Sequence, residues 1–355
     1  MRYVLIGDGE SPHLLKWARA LAAAPDIDLW VASSRGFVPG FDSLVPSAQR
    51  LALHTRPDAA GGNVALLRHL PRLSHWLQQV DAPWLHAHYL TSHGTLAWLA
   101  QTLLGVRGRL IASAWGSDIL VTPERSRLMR WVTRKVLRHG ALATSDSQWM
   151  AQRMRELGAG EVMVFPFGLE AMPALTAAKD PELFFANRGM EPVYAPQRVL
   201  QVFAALVRSR PNARLVVANH GSLHDELRAL ARQLNITARV QFVGRLDAAT
   251  QAQHYAQAQW YLSLPLSDSV SVSVLEAMAH GCIPILSDLP ANHELVRHGS
   301  DGLVLKAAQH IDEAELQALV ARADDIARGH RSWIEAHALF APAVQRFLER
   351  VRALT

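Results

Sequence analysis

Asp268 and Glu276 stand eight positions apart in the segment Ser267-Asp268-Ser269-Val270-Ser271-Val272-Ser273-Val274-Leu275-Glu276-Ala277-Met278-Ala279-His280-Gly281-Cys282-Ile283-Pro284. The segment reads strand, loop, helix, glycine stop, strand. A helix starting near Ser271 presents unbonded N–H groups and the positive end of its dipole, which suits a diphosphate. Glu276 lies about one turn further in. Its carboxylate can accept two vicinal hydroxyls, as a ribose presents them. Asp268 lies on the preceding loop, so both acids can face one ligand. The same residues also admit a reading without a ligand, with Glu276 a satisfied buried acid and Ser271 a simple cap. Spacing alone leaves both open.

Other residues invite chemistry elsewhere. The first strand runs into Gly7-Asp8-Gly9, but Pro12 stands where a dinucleotide fingerprint has its third glycine. Strand two ends in Ala32-Ser33-Ser34-Arg35, with no carboxylate for a ribose. Arg35 keeps a 2′-phosphate, and so an NADP-dependent oxidoreductase, as an alternative. Otherwise the turn either opens a helix N-terminus toward an anion or is a plain strand-to-helix turn. Between Arg125 and His139, Arg127, Arg130, Arg134 and Arg138 recur at spacings of three and four and share one helix face, with Leu128, Trp131 and Val132 interleaved. That face is either solvated or meets an anionic membrane surface or lipid-diphosphate acceptor, at roughly 1 kcal/mol per basic residue. No aromatic-basic stacking pattern or known motif points to nucleic acid. The chain has 17 histidines. His86-x-His88 is a strand spacing, and His13, His93 and His220 are scattered. No catalytic metal is therefore expected. Asn235-Ile236-Thr237 is a sequon that matters only on secretion. Cys282 sits in an apolar strand context and reads as core.

The elements that must position these residues follow from composition and periodicity. A length of 355 residues implies about two domains. With 50% apolar and 19% charged residues, the chain is globular. The net charge of +5 rests almost wholly on arginine, since only Lys16, Lys135, Lys179 and Lys306 are lysines. Arginine suits phosphate and planar anions better than lysine does. One cysteine excludes a disulfide framework and a cysteine zinc site. No apolar run approaches the roughly 20 residues of a membrane span. The N-terminus reads as a strand and not as a signal peptide, so a reducing cytoplasm is the expected compartment. In the first half, strands Tyr3–Ile6, Asp28–Ala32, Leu85–His88, Leu110–Ala114, Ala141–Thr144 and Val162–Phe165 alternate with helices at His13–Ala24, about Thr91–Leu104 and Arg125–His139. Thr122 reads as an N-cap before Pro123, and Ser145-x-x-Gln148 as a capping box. Residues 166–181 read as a linker. A second series follows, with strands Leu183–Ala186, Arg214–Ala218, Val240–Val243, Trp260–Leu264 and Ile283–Leu286 and helices Gln197–Ser209, His224–Leu234, Ala248–Ala258 and Val272–His280 between them. The tail, residues 332–355, reads as helical and able to pack back on the first domain. Such alternation predicts parallel βαβ units, a first domain over residues 1–165 and a second over 166–331. Two α/β halves facing each other would leave a cleft, where such folds bind ligands.

The segment from Asp268 to Pro284 resembles the acid-x7-acid signature of retaining glycosyltransferases of family four (glycosyl transferases group 1), which have the GT-B fold of two Rossmann-like, doubly wound parallel-sheet domains. Leu275–Ala279, Gly281 and Pro284 match its Leu-Glu-Ala-Met-Ala, glycine and proline. In the right order, Asp81 with His86-Ala87-His88-Tyr89 resembles the first-domain "HxH" strand. Ala114-Trp115-Gly116-Ser117-Asp118 resembles the turn ending the next strand, Phe165-Pro166-Phe167-Gly168-Leu169-Glu170 the interdomain element, and Val240-Gln241-Phe242-Val243-Gly244 the strand beside the nucleotide base.

The resemblance implies sugar transfer from a nucleotide diphosphate donor, UDP-sugar first and GDP-sugar next, with retention and without a metal or cofactor. Glu276 would bind the ribose hydroxyls, Asp268 the donor sugar, and the amides around Ser271 and Val272 the diphosphate. Arg188 would clamp the diphosphate, and Val243 and Gly244 would offer backbone groups to the base. The loop Gly9–His13 would close over the phosphates. His13, His88, Trp115 and Asp118 would lie on the side of a glycan or lipid-linked acceptor. Arg127, Arg130 and Arg134 would touch the inner face of the cytoplasmic membrane. Three positions depart from the family pattern. Asp268 is one methylene shorter than the usual glutamate. Val193-Tyr194 replaces the phosphate lysine, with Arg198 as the candidate substitute. Trp115 stands where many relatives have histidine. These departures keep a non-catalytic nucleotide-sugar-binding protein or assembly scaffold as an alternative.

Overall fold

Short apolar runs, five of them buried along their whole length, become the strands of two parallel sheets. The computed structural model describes residues 1–55, 64–306 and 311–355. In the first sheet the strands are β1 (Arg2–Gly7), β2 (Asp28–Ser33), β3 (Arg50–Ala52), β4 (Trp84–His88), β5 (Arg109–Ser113), β6 (Leu142–Ser145) and β7 (Val162–Val164). Their order is β3-β2-β1-β4-β5-β6-β7. In the second sheet they are β8 (Asp180–Ala186), β9 (Arg214–Ala218), β10 (Val240–Gly244), β11 (Ala258–Ser263), β12 (Ile283–Ser287) and β13 (Leu303–Leu305), in the order β10-β9-β8-β11-β12-β13. Every strand of β4, β11 and β12 is buried at all positions, as expected for a parallel sheet with helices on both faces.

The strand order reverses between β1 and β4 in one sheet and between β8 and β11 in the other. Loops leaving the carboxyl ends of such a pair diverge to opposite faces and open a crevice, the usual ligand site of doubly wound sheets. Gly7 and His88 end the first pair, and Arg188 and Asp268 follow the second.

The chain divides into two units: residues 1–165 with 341–355, and residues 166–340. Within the first, the helix Phe340–Leu354 brings Phe347 to 5.3 Å of the Trp17 ring, and Arg350 pairs with Glu161 at 2.6 Å. Within the second, Gly168 lies so close to Ala338 that an added Cβ would fall on that carbonyl oxygen, so glycine is required there.

Several local expectations are corrected. Ser147, not Ser145, caps the helix Gln148–Glu156 by accepting from Met150 N at 3.0 Å. Ser145 belongs to β6, and its hydroxyl donates to Ser147 O at 2.8 Å. Thr122 lies inside the short helix Thr122–Arg125, which Val121 precedes. A π-helical turn, Tyr89–Gly94, comes before the helix Thr95–Leu104, with Tyr89 at φ +65°. Strand β3 and the helix Leu70–Val80 were not foreseen. Three residues are too few to show a period, so β3 exists only by pairing with β2. Strand β8 takes in Asp180 and Pro181 from the expected linker.

Candidate functional site

The second unit gathers its chemistry around Arg188, just past β8. Arg188 Nη2 pairs with Asp268 Oδ2 at 2.6 Å. Nη1 donates to the hydroxyls of Ser271 and Ser273, the latter at 3.2 Å. The guanidinium lies 4.4 Å over the ring of Tyr194, the residue standing in the lysine region. Its Nε is buried with no partner among the described residues. Ser271 occupies the N-cap of the helix Val272–Ala279, yet no side chain caps that helix. Its hydroxyl is turned to Arg188 instead. An uncapped helix start thus lies beside a fixed guanidinium, and both attract anions.

Asp268 was expected on a donor sugar. The structure places its carboxylate on Arg188, with both side chains only 19% exposed. Burial pushes the Asp268 carboxyl up, and the Arg188 charge pulls it back. One methylene fewer than glutamate accounts for this short reach. Arg198, the candidate for the missing lysine, donates instead to the carbonyls of Leu264 and Pro265 at 3.3 Å. It anchors the loop after β11.

Glu276 is half-buried one turn along the helix. Its Oε2 accepts from Tyr255 Oη at 3.0 Å and Gln251 Nε2 at 3.2 Å. Neither partner was found by sequence reasoning, because a tyrosine and a glutamine on the helix Ala248–Gln257 carry no signal of what they face. Val243 and Gly244 close β10. Gly244 has φ +73°, and its carbonyl accepts from Asn219 N at 2.6 Å, so that oxygen already has a partner.

In the first unit His13, His88 and Trp115 come together at the carboxyl ends of the central strands. Trp115 Nε1 donates to His88 Nδ1 at 2.9 Å. The His88 proton must then sit on Nε2, which is buried without a partner among the described residues. The Trp115 ring is 4.7 Å from that of His13 and 6.0 Å from Tyr89. Asp118 does not join this surface. It is 1% exposed, and its two oxygens accept from Leu90 N and Trp115 N, each at 2.9 Å. It clamps two loops together from beneath, which corrects its expected acceptor role. Behind the cluster, His86 bridges Tyr3 and Ser113 at 2.9 and 2.6 Å. Burial lowers its pKa to about 3, so it is neutral.

The Gly9–His13 loop differs from expectation. Gly9 N donates to Ser33 Oγ at 2.8 Å, Glu10 N to Asp8 Oδ1 at 3.0 Å, Ser11 N to Asp8 O at 3.0 Å and His13 N to Ser11 Oγ at 3.3 Å. Position 12 is proline. In this conformation the loop is a closed turn and not an anion cradle. Arg35 lies 3.5 Å from both Asp8 and Glu10, so the carboxylates of that turn engage it rather than a 2′-phosphate.

The basic helix runs Arg127–His139, two residues shorter than expected because Arg125 ends a separate short helix, and carries no acid. Arg127, Arg130, Arg134 and Arg138, with Trp131 and Lys135, line an open surface hollow of about 290 Å³. Trp131 is 51% and Leu128 65% exposed, so two large apolar side chains stand open on this helix. Among the described residues no helix is long and apolar enough to cross a membrane, and no group of three or more histidine, cysteine or acidic side chains is placed to hold a metal ion.

Two family models match most of the chain: glycosyl transferases group 1 over residues 170–328, and glycosyl transferase 4-like over residues 3–147. The phosphatidyl-myo-inositol mannosyltransferase of Mycobacterium tuberculosis is 28% identical over 278 residues, covering 74% of this chain and 69% of that one. The N-acetyl-alpha-D-glucosaminyl L-malate synthase of Bacillus anthracis is 25% identical over 234 residues, covering 61% and 60%. Among solved structures, the Anabaena protein HepE in complex with UDP and glucose superposes with a TM-score of 0.75 at 15% identity, covering 99% of this chain and 100% of that one.

Proposed function

Since this chain belongs to the group 1 glycosyltransferases and has the GT-B fold, we propose that it moves a hexosyl group from a nucleotide diphosphate donor, UDP-sugar first and GDP-sugar next, to a glycan or lipid-linked acceptor with retention at the anomeric carbon. The observation that carries this reading is the pairing of Arg188 with the uncapped start of the Val272–Ala279 helix, and Glu276 one turn further on. Arg188 and the helix end receive the diphosphate, and Glu276 receives the ribose diol. Asp268 aims Arg188 through their ion pair. Val243 lies at the base, and His13, His88 and Trp115 form the acceptor side.

The chemistry follows from what these groups can do. The bond from the anomeric carbon to the diphosphate breaks, and the acceptor oxygen bonds to the same face. The acceptor proton passes to the departing diphosphate oxygen. No protein carboxylate is needed as nucleophile and no metal is invoked. The protein contributes placement of the reactants and fixed positive charge where the leaving group gathers negative charge. Because Asp268 already offsets one charge, much of the remaining stabilisation falls to N–H groups of the helix start.

Calorimetry against UDP and GDP tests the donor site. Glu276→Ala is expected to weaken the preferred nucleotide by roughly 10- to 100-fold, the loss of hydrogen bonds to a charged group. Unchanged affinity and transfer would remove Glu276 from the ribose role.

The acceptor reading draws on the Arg127–His139 helix. Its acid-free basic face with exposed Trp131 and Leu128 suits an anionic lipid surface. We place the enzyme there, peripheral to the inner face of the cytoplasmic membrane. The parent protein should co-sediment with vesicles containing anionic lipid. Changing Arg127, Arg130 and Arg134 together to glutamine should release it at roughly 0.1 M salt, the range where surface charges are screened over about 10 Å. A parent protein that stays in the supernatant ends the membrane reading.

A further inference from the structure

Beneath Glu276 runs a buried chain of hydrogen bonds that no role described above uses. Tyr261 Oη donates to Asn187 Oδ1 at 2.7 Å, Asn187 Nδ2 donates to Tyr255 Oη at 2.8 Å, and Tyr255 Oη donates to Glu276 Oε2 at 3.0 Å. Tyr261 is 0%, Tyr255 1% and Asn187 8% exposed.

The direction of the chain is set by its end. A carboxylate can only accept, so Tyr255 must point its single proton outward from Asn187. The reverse orientation of the Asn187 amide would claim that proton and set a phenol lone pair against the carboxylate. Tyr255 has a second acceptor, Ser273 O, at 3.2 Å. The carboxylate is nearer and charged, and so the stronger partner. Burial pushes the Tyr255 phenol well above its ordinary value and the Tyr261 phenol up as well, so both remain protonated donors.

Four elements meet in this chain: the end of β8, β11, the helix Ala248–Gln257 and the helix Val272–Ala279. Asn187 is also the residue immediately before Arg188. The same amide therefore fixes the register of the guanidinium by the backbone and that of the carboxylate through Tyr255. Gln251 holds Oε2 from a second direction at 3.2 Å.

We propose that Tyr255 is a positioning residue, which, with Asn187 and Tyr261 behind it, fixes the Glu276 carboxylate in the orientation that selects a ribose diol and keeps it in register with Arg188. This rests on the donor-site reading given above. Without the phenol the carboxylate keeps Gln251 at 3.2 Å but loses its nearer partner, so it can turn about its side-chain torsions and weaken the two-point contact to vicinal hydroxyls. The consequence is specific: sugar recognition within the nucleotide is lost, and diphosphate recognition is kept.

The test uses the full chain as parent, Tyr255→Phe and Tyr261→Phe, with thermal melting as a check of folding. Affinities are measured for UDP and 2′-deoxy-UDP, for GDP and 2′-deoxy-GDP, and for inorganic pyrophosphate. The parent is expected to prefer ribose by roughly tenfold or more, the scale of a hydrogen bond to a charged group. Tyr255→Phe should reduce that preference to about two- or threefold and leave pyrophosphate affinity within about threefold, the scatter of a variant whose charges are unchanged. Tyr261→Phe should move the preference in the same direction by less. A folded Tyr255→Phe chain with the full ribose preference overturns the proposal, and so does one that loses pyrophosphate and ribose recognition equally. Should Tyr255→Phe not fold, an unchanged preference in Tyr261→Phe overturns it. A parent with no ribose preference for either base overturns the donor-site reading itself, and this proposal with it.

Discussion

Arg188→Ala is expected to lower the transfer rate by roughly 10²- to 10³-fold, the usual effect of removing one preorganised donor from developing negative charge. The same substitution should damage the fold. It leaves the largely buried Asp268 with no cation, and breaking a buried pair costs about 3–5 kcal/mol. With both side chains 19% exposed, the low end of that range applies. Activity and stability are separated by a second change. Arg188→Ala with Asp268→Ala removes the stranded charge, so melting should recover while transfer does not. Arg188→Lys keeps a charge but loses the planar fork that spans Asp268 and the two serines, and its stacking on Tyr194. It should rescue little transfer. A recovered double variant that transfers at the parent rate would show that the leaving group does not meet Arg188.

Acid is expected to unfold the protein well above the carboxylate range. His86 in the first unit and His330 in the second have pKa values lowered by burial to about 3 and about 4, and burial also holds His88 well below its ordinary value. In each case the folded pKa lies below the unfolded one. The unfolded chain therefore binds more protons below about pH 6.5, and stability falls as pH falls. Each such group removes about 1.4 kcal/mol per pH unit between its two pKa values. From pH 6.5 to pH 5 His86 in the first unit and His330 in the second each remove roughly 2 kcal/mol, a large part of the stability of many domains, and His88 acts in the same direction. Urea titrations at pH 7 and pH 5 measure this directly, and equal midpoints would contradict it. His330 offers a control. It is 5% exposed, and neither ring nitrogen has a partner among the described residues. His330→Leu removes two unsatisfied polar atoms at similar volume, so it should raise stability at pH 7 and flatten the slope toward pH 5.

Much of the local structure around Asp268 and Glu276 could be read from the linear chain. The glycine stop at Gly281, the apolar run after it and the eight-residue spacing of Asp268 and Glu276 are local patterns, and helix and strand are local structures. For the same reason the alternation of strands and helices gave the two Rossmann-like halves, and the arginine stripe fell on one face of a real helix. Strand β3 escaped because its three residues have no period of their own. Ser145 was mistaken for a cap because two serines compete there, and only their partners distinguish them: Ser145 pairs with Val164 in the sheet, and Ser147 accepts from Met150 N.

Local patterning says which residue types are available, and where they sit along an element. It does not say which donor meets which acceptor. Asp268 and Arg188 are 80 residues apart, Tyr255 and Glu276 21, Tyr261 and Asn187 74. The first and third of these pairs exist because β8 and β11 lie side by side where the strand order reverses. Whether a polar atom faces a ligand or is already satisfied follows from those pairings. Sequence marked Gly9, Asp118 and Asp268 as ligand-facing. Packing placed Ser33 on the first, two backbone amides on the second and Arg188 on the third. A hydrogen bond extends only about 3 Å, so its partner is set by the arrangement of neighbouring strands, and the linear order of the chain carries that arrangement only through the fold.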